Sequence, residues 1–211
     1  MSIPKTQAII PARLQASRFP GKLLAHWRGK TVLEWVWRAT CDCKDLSGVS
    51  IATGDDAIRL VAESFGAKVH FDRSPYQNGT ERTAGAFDGT SDHVVVVQAD
   101  QPGLQTRHIS TLVQAMATTH ADMVTPGVPL DHDVINDRDV VKCWSDTSGQ
   151  ACFARTPPVT PTATQLWRHI GLYGYRASAL RQYANAERCE AEAVQRLEQL
   201  RCLELGQQVR L

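Results

Sequence analysis

Arg13, Arg18 and Lys22 fall within one short loop, "IIPARLQASRFPGKLL" (Ile9 to Leu24), among Pro11, Ala12, Pro20 and Gly21. Small residues let backbone N–H groups come close to an anion, and the cations neutralise phosphate oxygens, the arginines in bidentate fashion. The loop reads as a phosphate cradle; a surface loop with solvated cations is the alternative. It is not a Walker A loop, because Gly21-Lys22 is followed by Leu23, and it is not a G-x-G-x-x-G fingerprint.

A second loop, "VVVVQADQP", runs from four valines into Gln98 and Asp100. A buried parallel strand lifts Asp100 to the carboxyl edge of a sheet. A lone carboxylate facing triphosphate charge calls for a divalent cation, and Mg²⁺ suits one or two carboxylates plus substrate phosphates. The alternative is that Asp100 only caps the turn before Pro102. The third loop, "YQNGTERTAGAF", has Asn78-Gly79 as a tight turn, Thr80 as a helix N-cap, and Glu81 and Arg82 in the first helical turn. Such a helix start can hold a phosphate or polarise a ligand oxygen, and Arg82 adds a full charge. An Asn-Gly hairpin is the competing reading.

The elements that position these loops alternate: "TQAII", "VSIAT", "KVHF" and "HVVVV" are strand-like, while "TVLEWVWRAT", "DAIRLVAESFG" and "TRHISTLVQAMATTH" have helical periodicity. That rhythm predicts an α/β fold, a mostly parallel, Rossmann-like sheet with helices on both faces. From Met123 to about Trp167 the rhythm gives way to five prolines and the short β-like pieces "DVVKCW" and "QACFAR", an antiparallel excursion within about residues 125–175. One strand, "HIGLYGYR", and helices from Ala177 and from Glu190 to Leu205 complete the expectation. Residues 1–211 read as a single domain.

The formal net charge of +1 gives no bulk attraction to nucleic acid or membrane, so any anion site is local. No apolar run approaches the roughly 18 to 20 residues of a membrane span, and Met1 to Lys5 does not begin a secretory signal, so a cytoplasmic protein is expected. The six cysteines lack a Cys-x-x-Cys pair and the seven histidines lack metal-ligand spacing, which predicts inert thiols and no structural zinc.

The motifs above, with "SIATGDDAI", "ACFARTPPV", "RHIGLYGYR" and "LEQLRCLELG", resemble in order and spacing the 3-deoxy-manno-octulosonate cytidylyltransferase (CMP-Kdo synthetase) family over nearly the whole chain. The first loop is shared more widely among sugar-acid nucleotidyltransferases; "NGTER" with "HIGLYGYR" and "LEQLR" is more specific. The resemblance implies a homodimer built through the excursion, and a reaction in which the anomeric hydroxyl of a sugar acid attacks the α-phosphorus of CTP and expels pyrophosphate, serving lipopolysaccharide or capsule synthesis. It implies that Arg13 and Lys22 hold the triphosphate, with Arg18 near the base or phosphates. Pro11, Ala12, Gly79 and Thr80 then shape the nucleotide pocket beside Arg82, and Asp100 is the Mg²⁺ ligand. Gln98 falls between nucleotide and sugar, and Arg155, His169, Tyr173 and Glu192 face the sugar acid.

The family pattern also has a later Val-Asp-Thr segment whose aspartate is a second metal ligand; it has no counterpart here, and Asp55, Asp56 and Glu192 are the acids to inspect in its place. Asn78, Gln101 and Gln195 stand where the family more often has serine, an acid and glutamate. Two further readings stay open on the sequence: a homologue that binds nucleotide or a partner without turnover, and a cytidylyltransferase for an amino-Kdo or sialic-type acid.

Overall fold

The computed structural model describes residues 4–15, 19–158 and 165–211. Its elements run β1 (Thr6–Pro11), β2 (His26–Trp27), β3 (Lys30–Thr31), α1 (Val32–Cys41), β4 (Gly48–Thr53), α2 (Asp56–Ser64), β5 (Lys68–Phe71), α3 (Gly79–Ala86), β6 (His93–Val97) and α4 (Thr106–Thr118). The second half runs β7 (Met123–Val124), β8 (Gly127–Pro129), β9 (Lys142–Ser145), β10 (Ala151–Ala154), β11 (Trp167–His169), β12 (Leu172–Arg176), α5 (Ala177–Asn185), α6 (Glu190–Gln195), α7 (Gln199–Glu204) and β13 (Val209–Arg210).

A seven-stranded sheet has the order β13-β7-β12-β6-β1-β4-β5. β6, β1, β4 and β5 are parallel, and β12 enters antiparallel between β6 and β7. Side chains alternate across its faces with the period of two that a pleated strand dictates. Ala8, Ile10, Val95 and Val97 join α1, α2 and α4 in one core, while Ile9, Val94, Val96 and Tyr175 join α5, α7 and the β9–β10 strands in another. Helices therefore cover both faces, as the alternation of the sequence predicts.

The excursion forms a separate antiparallel sheet of order β10-β9-β11-β8. "HIGLYGYR" is two strands rather than one: His169 ends β11 in the small sheet, and after Ile170-Gly171 the chain enters the large sheet as β12. The helix expected from Glu190 to Leu205 is likewise two. Arg196 has φ 54° and ψ 46°, a left-handed conformation costly for a residue with a Cβ. The Arg155 guanidinium offsets that cost locally, with Nε donating to Gln195 O at 2.6 Å and Nη2 to Arg196 O at 3.4 Å. The two-residue strands β2, β3, β7 and β13 are too short to carry a periodic signal.

Candidate active site

After β1 the chain moves outward to β4 and β5, then crosses back to place β6 on the other side of β1. The crevice between the carboxyl ends of β1 and β6 is where an open α/β sheet receives a ligand. Two of the chemistry-bearing loops leave from these ends: Pro11 leads to Arg13, and Val97 to Gln98 and Asp100. The start of α3 closes the third side. A Cβ on Gly79 would lie 3.1 Å from Pro11 Cγ and 3.3 Å from Gln98 Nε2, so a glycine lets the helix sit this close to both loops.

Two cavities open here. One, of about 750 Å³, is lined by Pro11, Ala12, Arg13, Lys22, Arg82 and Asp100, among others. The second, of about 680 Å³, is lined by Arg155, His169, Tyr173 and Glu192 together with Arg168, Arg188, Arg196 and Glu198. Arg13, Asn78, Gly79, Gln98 and Asp100 line both. Arg18 lies outside the described residues.

The charges of the first cavity are arranged unevenly. Lys22 is ion-paired with Asp100 at the partly exposed mouth. Arg13 is exposed and has no ion-pair partner among the described residues. Arg82 donates through Nη1 to Asp72 O at 3.1 Å and lies over the Tyr76 ring at 5.0 Å. The Tyr76 hydroxyl, and then Ser74, hold the Asp72 carboxyl down at about 2.

The helix cap differs from expectation. Asn78, not Thr80, is the N-cap of α3: its Oδ1 accepts from Glu81 N at 2.8 Å, while Thr80 is a buried residue inside the helix. Asn78 Nδ2 also donates to Tyr183 Oη at 2.8 Å and Glu192 Oε1 at 2.9 Å. An amide has both an acceptor and donors, so one side chain caps α3 and joins it to α5 and α6.

On the second side, Glu198 was not singled out from the sequence, although it lies in the quoted "LEQLR". Its Oε2 accepts from Thr80 N at 3.1 Å and its Oε1 from Gln98 Nε2 at 2.9 Å, which fixes the Gln98 amide between the two cavities. Burial raises the Glu198 carboxyl and the Thr80 N–H works against that rise. Glu192 is not a free ligand group: it is buried, with both oxygens on Arg201. Arg155 spends its guanidinium on the carbonyls of Arg138, Gln195 and Arg196. Arg168, Arg188 and Arg196 are further cations of this wall that sequence patterning did not distinguish from surface charge.

Among the described residues no group of three or more His, Cys, Asp or Glu side chains is placed to hold a metal. Asp55 Oδ2 accepts from Leu14 N at 2.9 Å, and Asp56 is paired with Arg59 and Arg73. The six cysteines are free; burial pushes the Cys143 and Cys202 thiols up to about 12, while Cys41 is exposed.

A family model for cytidylyltransferases matches residues 7–209. The chain belongs to the cytidylyltransferase family. The 3-deoxy-manno-octulosonate cytidylyltransferase of Myxococcus xanthus (strain DK1622) is 37% identical, over 98% of this chain and 87% of its own. The enzyme of the same name from Acaryochloris marina (strain MBIC 11017) is 34% identical, over 97% and 86%. A solved CMP:2-keto-3-deoxy-manno-octonic acid synthetase complexed with CTP has a TM-score of 0.88 at 27% identity, covering 98% of this cytidylyltransferase and 88% of that chain. A 4-diphosphocytidyl-2C-methyl-D-erythritol synthase from Anaerococcus prevotii, at 15% identity and a TM-score of 0.63, shares the fold alone. No helix among the described residues is long and apolar enough to cross a membrane.

Two expected results follow from this geometry. A Cβ on Gly171 would lie 2.7 Å from Gln98 Cγ and 2.9 Å from Gln101 Nε2. Gly171→Ala therefore displaces Gln98 and lowers turnover at least about tenfold, while overpacking costs about 1 to 3 kcal/mol of stability; steady-state kinetics and a thermal melt measure both. Burial holds His169 down at about 4 from its ordinary 6.5. Between those values the unfolded chain takes up a proton that the folded ring refuses, so stability falls as pH drops through the window, by up to about 3 kcal/mol. Burial lowers His93 and His70 in the same direction, and the raised Glu198 opposes them. Urea denaturation at pH 7 and pH 4.5 checks it: His169→Gln loses less stability over the interval than the wild type does.

Proposed function

We propose that this chain transfers CMP from CTP to a 3-deoxy sugar acid, Kdo or a close analogue, releasing pyrophosphate. The observation that carries the reading is the pair of cavities meeting at Arg13, Asn78, Gly79, Gln98 and Asp100, one edged by cations suited to a triphosphate and the other rich in arginine and hydrogen-bonding groups. Two substrates in such neighbours can approach in line, and phosphoryl-type transfer needs positioning and charge neutralisation more than a covalent group.

Arg13 and Lys22 grip the triphosphate, with Arg82 beside the nucleotide and Pro11, Ala12, Gly79 and Thr80 as its walls. Asp100 supplies one half-exposed carboxylate at a cation-lined mouth, which fits Mg²⁺ held by one carboxylate and substrate phosphates. The ion, when bound, neutralises phosphate charge. Lys22 then exchanges its carboxylate partner for phosphate oxygens. Gln98, oriented by Glu198, lies between the nucleotide and the attacking hydroxyl. His169 and Tyr173 meet the polyhydroxylated side, while the carboxylate of the acid faces Arg168, Arg188 and Arg196, with Arg155 and Glu192 shaping the wall.

A homodimer through the β8–β11 sheet, a cytoplasmic setting and a place in lipopolysaccharide or capsule synthesis complete the reading. The test is pyrophosphate release with CTP, UTP or ATP crossed with Kdo or sialic acid, with and without Mg²⁺. Release confined to CTP, Kdo and Mg²⁺ is expected. Release with sialic acid instead moves the reading to another sugar acid, and none with any pair overturns it.

A further inference from the structure

The cavity on the acid side contains a hydrogen-bond constraint that begins in the sheet. β7 and β12 pair Gly174 with Val124, and Arg176 N donates to Asp122 O at 2.9 Å, so alternate residues of β12 turn their peptide groups toward β7. Continued two residues further, the register sets Leu172 opposite Pro126, which has no N–H to give. The Leu172 carbonyl is met instead by the hydroxyl of fully buried Thr125, at 2.8 Å. That hydroxyl lies also 2.8 Å from His169 Nε2.

A threonine hydroxyl has one proton and can accept through its lone pairs. If the proton went to Nε2, the buried Leu172 carbonyl would be left without a donor, at the cost of an unpaired polar group. The proton therefore goes to Leu172, and Nε2 must be the donor to Thr125. Burial keeps the ring neutral near pH 7, so it has one N–H and one bare nitrogen. The bare one, Nδ1, has no partner among the described residues, on a side chain that lines the cavity.

We propose that Thr125 is a positioning residue: by committing its proton to Leu172 it locks His169 in the Nε2–H tautomer and presents Nδ1 as an acceptor for a hydroxyl of the sugar acid. The inference rests on the reading that this cavity takes a polyhydroxylated acid. His169 then selects a hydrogen-bond donor on the ligand and takes no part in neutralising its carboxylate.

The experiment uses the full chain with ¹⁵N-labelled histidine and long-range ¹H–¹⁵N NMR at pH 7 without substrate, His169 being assigned by its absence in His169→Gln. The wild type is expected to show a protonated Nε2 and a bare Nδ1. In Thr125→Val the tautomers mix and KM for the sugar acid rises as the inverse of the Nε2–H fraction that remains, about twofold for an even mixture and more as Nδ1–H gains. kcat and KM for CTP stay within about twofold, and Thr125→Ser, which keeps the hydroxyl, restores tautomer and KM. An Nδ1–H tautomer in the wild type overturns the proposal, as does an unchanged sugar-acid KM in a folded Thr125→Val. Should the valine variant not fold, the wild-type and serine spectra decide. If no sugar acid is turned over, the functional reading fails while the lock is still judged by those spectra.

Discussion

Asp100→Ala is expected to reduce sugar-acid-dependent pyrophosphate release from CTP by at least about a thousandfold in kcat/KM, the upper part of the range for losing one group that manages transition-state charge. Among the described residues Asp100 is the only acidic side chain lining the nucleotide-side cavity, so no neighbour substitutes for it. Its side chain is 40% exposed, and its deletion leaves Lys22, itself 36% exposed, free to solvate. Stability should therefore move by no more than about 0.5 kcal/mol, the range for a surface change.

Binding of CTP without metal separates the role proposed for Asp100 from simple damage. With the carboxylate gone, Lys22 has no competitor for the phosphates and one repelling charge is removed. The metal-free dissociation constant should stay the same or tighten up to about fivefold, since an exposed ion pair is worth about 1 kcal/mol at most. Titration calorimetry in a chelator measures it. Turnover near the wild-type rate, or metal-free CTP binding weakened tenfold, contradicts the assignment.

The contrast between Asp100 and Glu198 marks what the sequence can disclose. Asp100 comes three residues after a run of four valines, and a continuous apolar run, buried on both faces, with polar residues after it announces a sheet edge. The parallel sheet, the cationic loop and the start of α3 are legible for the same reason: each is a local pattern. Glu198 sits in a helix–turn segment among Leu197, Gln199 and Leu200, and only the path of β6 and α3 in space brings Gln98 and Thr80 to it. The α6–α7 break is equally non-local. Arg196 adopts a left-handed conformation with help from Arg155, a residue about 40 positions earlier whose side chain reads as a ligand group from its motif alone. Asn78 reads as a turn residue because Asn-Gly is a strong turn signal. Its capping role depends on an extended φ of −144° that the dipeptide does not disclose.

Arg201→Met is expected to cost about 3 to 5 kcal/mol, because it strands a buried charge. Arg201 is 2% exposed and uses its donors fully: Nε and Nη2 on Glu192 at 2.6 and 3.0 Å, Nη2 on Glu81 at 2.8 Å, and Nη1 on the carbonyls of Ala186 and Tyr183 at 3.2 and 3.4 Å. Its guanidinium also lies over the Tyr183 ring at 4.3 Å. Without it, Glu192, 3% exposed, retains Asn78 Nδ2 and Arg188 at 3.9 Å, too little to offset desolvation of a carboxylate.

A second substitution identifies the cause of the deficit. Arg201→Met combined with Glu192→Gln removes the stranded carboxylate, so the double variant should recover at least about 1 kcal/mol over Arg201→Met alone, whereas lost packing alone would leave the deficit unchanged. Arg201→Lys should recover part of the stability, since a point charge pairs with Glu192 but cannot bridge two carboxylates and a carbonyl in one plane. Glu192 and Asn78 link this network to the cap of α3, so both variants should also raise KM for CTP. Urea titrations, paired with CTP kinetics on folded protein, measure these effects, and a deficit under about 1 kcal/mol in Arg201→Met, or no recovery in the double variant, would refute a stranded Glu192.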